Sequence, residues 1–148
     1  GAPPGNATGT SANITAAGPT DIGPSYTVPA NTVGTGTTYY MQCVGTITVQ
    51  PTTGTWGLYW GGVSGVALVT KTLTLQSAGT FLLDGFLYWQ SNSAVSVIMR
   101  EQTAIAGAAQ IASVVTGLTT TSSEVLTFGI TQASGTFVSQ VAYANQVH

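Results

Sequence analysis

The chain has 148 residues, of which 43% are apolar and only 4% charged, with a net charge of −2; a typical globular protein carries about 25% charged residues. With Lys71 and Arg100 as its only fixed cations, it lacks the basic clusters that phosphate backbones and anionic membranes require, so neither nucleic acid nor membrane is an expected partner. The length favours one domain, able to bury roughly 70% of the surface exposed by the unfolded chain. A solitary Cys43 excludes an intrachain disulfide.

Residues 1–36 hold five of the six prolines and read as an irregular Pro/Gly-rich N-terminal arm or linker. Central strands are unexpected there, because proline cannot donate to a ladder; Tyr26 and Val28 are the candidates for one short edge strand. The arm is expected to lie on its own domain or on a neighbour. The chain opens on Gly1 without Met, as expected of a processed, trimmed or partial product from which a leader could have been removed.

Residues 37–148 are expected to form the folded domain. From Thr37 the hydrophobic period becomes two. Tyr39, Met41, Cys43, Ile47 and Val49 fall on one face of a strand over Thr37–Gln50, and the residues between them on the other. Pro51-Thr-Thr-Gly54 turns the chain. Trp56, Leu58 and Trp60 then alternate with Gly57 and Tyr59, and Gly61-Gly62 ends that strand. Val66–Val69 and Thr72–Leu75 read as two short strands separated by Lys71. In Thr80–Gln90, Phe81, Leu83, Leu87 and Trp89 share a face with Gly85, while Leu82, Asp84, Phe86 and Tyr88 occupy the other. Val95, Val97 and Met99 alternate next. Glu101–Thr116 is divided between an Ala-rich short helix and loop plus strand, the second favoured by Gly107 and Val114-Val115. Leu126, Phe128 and Ile130 form a further inward set, and Phe137, Val141, Tyr143 and Val147 a last one.

About eight short strands separated by turn signals at roughly 8–12-residue intervals predict an all-β sandwich or barrel, of which the two-layer antiparallel jelly-roll-like sandwich is the most economical choice. The strand Thr80–Gln90 is apolar on both faces, where a strand with one solvated face should be polar outside. Together with the low charge, this predicts a homo-oligomer. Tyr59, Leu82, Phe86 and Tyr88, all off the core face of their strands, are the candidate oligomer interface; a sugar-stacking platform is the other reading of these aromatics.

The inventory of reactive groups predicts no enzyme. His148 is the only histidine and the last residue, a poor place for a positioned base. Cys43 falls at an inward position, as a small core hydrophobe, and one Cys with one His cannot fill a zinc site. Asp84 and Glu101 could meet across adjacent strands as a carboxylate pair of the kind glycosidases use, but Asp84 is expected to pair with Lys71 or Arg100, or to cap a turn, instead. No acidic cluster offers the six to eight oxygens that calcium takes, and no cofactor is expected. The glycosylation-like triplets Asn6-Ala-Thr8 and Asn13-Ile-Thr15 are expected by chance in so Thr-rich a chain.

The run Gly36-Thr-Thr-Tyr-Tyr40, Val44-Gly-Thr-Ile47, Gly57-Leu-Tyr-Trp-Gly-Gly62 and Phe81-Leu-Leu-Asp-Gly85 resembles small β-sandwich virion structural proteins of tailed phages, especially those of actinobacteria. In these a G-T-x-Y strand leads to an L-x-W-G-G segment and then to an aromatic-x-Leu-acid-Gly strand. The resemblance spans about Gly36–Gln102. It departs in having Phe81 where Trp is common, and in its few charges. It implies a protein of the particle surface, of capsid decoration or fibre-tip type. A decoration protein binds the major capsid protein, usually as a homotrimer, and the Pro-rich arm favours that role. A fibre tip or a carbohydrate-binding module would contact a glycan instead.

Overall fold

The computed structural model describes residues 18–49, 53–72, 79–103, 107–133 and 136–146. Nine strands follow one another: β1 (Gly18–Val28), β2 (Thr38–Val49), β3 (Thr53–Trp60), β4 (Val66–Thr72), β5 (Gly79–Trp89), β6 (Val95–Thr103), β7 (Gly107–Val115), β8 (Glu124–Ala133) and β9 (Thr136–Gln146). They form a four-stranded sheet, β1-β8-β3-β4, and a five-stranded sheet, β7-β6-β5-β2-β9, with antiparallel pairing throughout. The fold is therefore an all-β, two-layer antiparallel sandwich of jelly-roll type. The chain crosses between layers after β1, β2, β4, β7 and β8, and stays in one layer through the β3–β4 hairpin and the β5–β6–β7 meander.

Period-two patterning positions the core, because successive side chains of a strand point to opposite faces. Tyr39, Met41, Cys43 and Ile47 of β2, Phe81, Leu83, Leu87 and Trp89 of β5, and Val95, Val97 and Met99 of β6 are buried from one layer. Trp56, Leu58 and Trp60 of β3 and Leu126, Phe128 and Ile130 of β8 meet them from the other. Two aromatic pairs tie the layers together: Trp56 with Phe81, centroids 4.9 Å apart, and Trp60 edge-on to Trp89 at 5.2 Å. Between them β5 has Gly85, where a Cβ would lie 2.9 Å from Leu58 Cδ2; the missing side chain makes room for the facing sheet. The inward set expected of the last strand falls on side chains outside those described.

The structure corrects two readings of the sequence and bears out the favoured one for Gly107–Val115. Residues 18–36 belong to the sandwich, since β1 pairs with β8 along its length and Ile22, Val28 and Val33 join the core. The prolines mislead because β1 is an edge strand, where proline is tolerated. Its register shifts between Ile22 and Tyr26, a bulge around Pro24. Lys71 does not separate two strands but lies within β4. The adjacent burial of Leu68 and Val69 there, out of step with simple alternation, follows from a bulge: Leu58 pairs with Val69 and Tyr59 with Ala67, leaving Leu68 as the extra residue. Gly107–Val115, divided between helix and strand, is strand.

Candidate interaction surface

The outward faces of the two sheets are chemically different. On the five-stranded sheet the register aligns side chains in rows across β2, β5, β6 and β7. Tyr40, Phe86, Ile98 and Ala112 form one row; Gln42, Asp84, Arg100 and Gln110 form the next. Asp84 is the hub. Its Oδ1 accepts from the Tyr40 hydroxyl at 2.7 Å and from Gln42 Nε2 at 3.3 Å, and its Oδ2 forms a 2.6 Å ion pair with Arg100. Arg100 also lies over the Phe86 ring at 5.8 Å, and Tyr40 packs on the same ring at 4.7 Å. Every strong acceptor of the carboxylate is thus used within the sheet. Outward the face offers an apolar patch, with Phe86 41% exposed, Tyr88 49%, Ile98 40% and Val114 60%, beside the exposed Arg100, Gln102 and Gln110.

Of the four residues expected at an interface, the structure brings three together. Leu82, Phe86 and Tyr88 line the outward face of β5, with Leu82 half-buried. Tyr59 is elsewhere, on the outward face of the four-stranded sheet, and is only 7% exposed. Its ring lies across the paired glycines Gly57 and Gly129, where an added Cβ would come within 2.6 and 2.8 Å of it, and Val63 approaches the same spot. Two glycines side by side leave a trough in the sheet, and Tyr59 fills it. Ile98 and Val114, which extend the exposed patch, were legible as alternating apolar positions, but their exposure depends on which residues cover them.

Reactive groups do not converge among the described residues. The register sets Asp84 opposite Arg100 and Glu101 opposite Leu83, so Asp84 faces out while Glu101 is buried. The expected choice of Arg100 or Lys71 as partner of Asp84 falls to Arg100, and no carboxylate pair forms. Cys43 is buried, and His148 lies outside the described residues. No cluster of three His, Cys, Asp or Glu exists among the described residues. The Gly61–Gly65 turn, with positive φ at Gly61 and Gly62, places Asp21 and Glu124 beside it: Asp21 accepts from the Val63 N–H at 3.2 Å, and Glu124 lines a cleft of about 300 Å³ with Trp60, Ser64 and Thr119. Tyr39 is the strongly perturbed group. Burial, reinforced by Tyr26, pushes its phenol up to about 12, and the nearby Thr32 hydroxyl offsets only part of this.

No protein-family model matches the chain, and no curated protein matches it. Among solved structures it is similar to peanut lectin with a nine-residue peptide (PVIWSSATG), at 11% identity and a TM-score of 0.44, over 96% of this chain and 84% of that one. No residue role is carried over from that likeness.

Proposed function

We propose that this chain is a non-enzymatic structural protein of a phage particle, of capsid decoration type, and that it docks on other protein subunits through the outward face of its five-stranded sheet. The observation that carries the docking is the patch Phe86, Tyr88 and Ile98, exposed beside a buried carboxylate whose two oxygens are engaged by Tyr40, Gln42 and Arg100. A face of this kind gains by losing water from apolar and aromatic surface. The phage setting, with the major capsid protein as partner, rests on the resemblance of Gly36–Gln102.

The test is to quantify the protein on purified particles. A copy number in fixed ratio to the major capsid protein, reduced at least ten-fold by Phe86→Asp, is the expected result. Absence from particles would end the decoration reading. A second reading, a glycan-contacting fibre tip or carbohydrate-binding module, is favoured by Tyr88, a half-exposed ring next to the Gln90–Ser96 hydrogen bond of 2.8 Å. Binding on a glycan array that disappears with Tyr88→Ala would select it.

A further inference from the structure

A sandwich of two open sheets has four edge strands, here, among the described residues, β1 and β4 in one sheet and β7 and β9 in the other. Each edge presents a row of backbone N–H and C=O groups that can pair with any passing strand, and proteins blunt such edges with proline, charge or bulges. Three of the four are blunted in this way. β1 carries Pro19, Asp21 and Pro24 and shifts register between Ile22 and Tyr26. β4 carries Lys71 and the Leu68 bulge. β9 shifts register twice along β2. The fourth has none of these devices. β7, Gly-Ala-Ala-Gln-Ile-Ala-Ser-Val-Val, contains no proline and no charge, and it pairs with β6 in unbroken register from Val95↔Val115 to Thr103↔Gly107. A regular, neutral edge nine residues long is what another strand needs in order to add to a sheet.

The geometry points to β7 as a strand-addition edge, occupied by β7 of a second copy running antiparallel across a two-fold axis to give one continuous ten-stranded sheet. This deepens the assembly reading above and rests on it only for the setting. Three features select a second copy as the occupant. The edge carries no charge, so two copies meet without repulsion, and an antiparallel strand is complementary to itself under a two-fold operation. An axis near Ile111 sets Ile111 against Ile111 of the second copy and Gln110 against Ala112, so the central pair is apolar and no like charges meet. The added strand would also roof the cleft of about 260 Å³ between β7 and β4, lined by Leu68, Val69, Ile111 and Ser113. Finally, the edge is continuous with the docking face: the row Tyr88–Ser96–Val114 ends on it, so pairing doubles that face into one apolar surface spanning two copies. A two-fold of this kind gives a dimer where the resemblance implies a trimer.

The experiment combines light scattering after size exclusion with amide hydrogen exchange on the whole chain. Wild type should be a dimer at micromolar concentration, and the edge-facing amides of β7 should exchange at least ten-fold more slowly than in a monomeric variant. Ala112→Lys places a charge on an exposed position of the edge, the device β7 lacks, and should yield a folded monomer. Val114→Lys, also exposed, serves if the first variant does not fold. A wild-type monomer up to millimolar concentration overturns the inference. So does a trimer, or a dimer that persists in both variants with fast β7 exchange. A dimer lost with Phe86→Asp but kept with Ala112→Lys moves association to the sheet face and equally overturns it. Particle attachment reads the other proposal separately: an Ala112→Lys monomer still held on particles leaves the decoration reading standing, whereas a wild-type dimer absent from particles leaves the edge standing alone.

Discussion

Tyr59 and Phe86 carry the same sequence signal and meet opposite fates. Both are aromatic residues one step out of phase with the core side chains of their strands, so both point away from the sandwich interior. On the four-stranded sheet the chain covers its own aromatic: Gly57 and Gly129 leave a trough, the Tyr59 ring lies in it, and Val63 closes over it. On the five-stranded sheet the neighbours of Phe86 are Tyr40 and Arg100, which touch its face and side but leave it 41% exposed. An outward aromatic is therefore a binding residue only where the same face lacks glycine to sink it and a loop to cover it.

The comparison can be broken by measuring which side chains hold the monomer together. Phe81→Ala sets the scale for an inward aromatic, with an expected loss of about 3–5 kcal/mol in equilibrium denaturation. Tyr59→Ala should cost about 2–4 kcal/mol, because it empties the trough over Gly57 and Gly129, and should leave association unchanged. A Tyr59→Ala protein as stable as wild type would place Tyr59 with Phe86 after all.

Truncation sharpens the boundary of the self-covered layer. Removing residues 1–17 leaves all nine strands intact and sets the reference. Removing residues 1–23 takes the buried Ile22 and its pairing with Phe128, and should cost at least about 2 kcal/mol. Equal melting temperatures for the two truncations would return residues 18–23 to the arm.

On the inner side of the five-stranded sheet, Tyr39 gives a pH signature that its outward residues do not. Its folded phenol is raised above the ordinary value of 10 to about 12, so the folded state holds the proton over a range in which the unfolded chain releases it. The contribution is complete below pH 10 and is lost as pH rises from 10 through 12. Thermal unfolding followed across that range should show a falling midpoint, with a shallower fall in Tyr39→Phe. The smallest effects belong to the exposed face. Phe86→Ala should change monomer stability by about 1 kcal/mol or less, the size expected of its exposed aromatic contacts. Docking should vary little between low and high salt, because the face is apolar and its one ion pair is internal.

The alternation of Trp56, Leu58 and Trp60, of Phe81 through Trp89, and of Leu126, Phe128 and Ile130 was sufficient by itself to place these core residues and to define an all-β domain, since a period of two gives each strand one inward face. The scarcity of charge likewise implied that Asp84 would take a cation rather than act as an acid. Tertiary structure decided the rest. Composition made residues 18–36 look like an arm with at most a short edge strand at Tyr26 and Val28, and only the pairing with β8 shows an edge strand over Gly18–Val28, where proline is tolerated. Whether Asp84 and Glu101 could meet depended on a register no spacing specifies: one residue of offset puts them on opposite faces of the sheet. Exposure of Phe86 and sealing of Tyr59 depended on glycines and a loop brought together from β3, β8 and the Gly61–Gly65 turn. The unguarded state of β7 became visible only once the strand order showed which four strands stand at the edges. A sequence fixes the period of each strand locally, whereas strand neighbours are chosen by contacts distant in the chain, and those contacts decide what an outward side chain can touch.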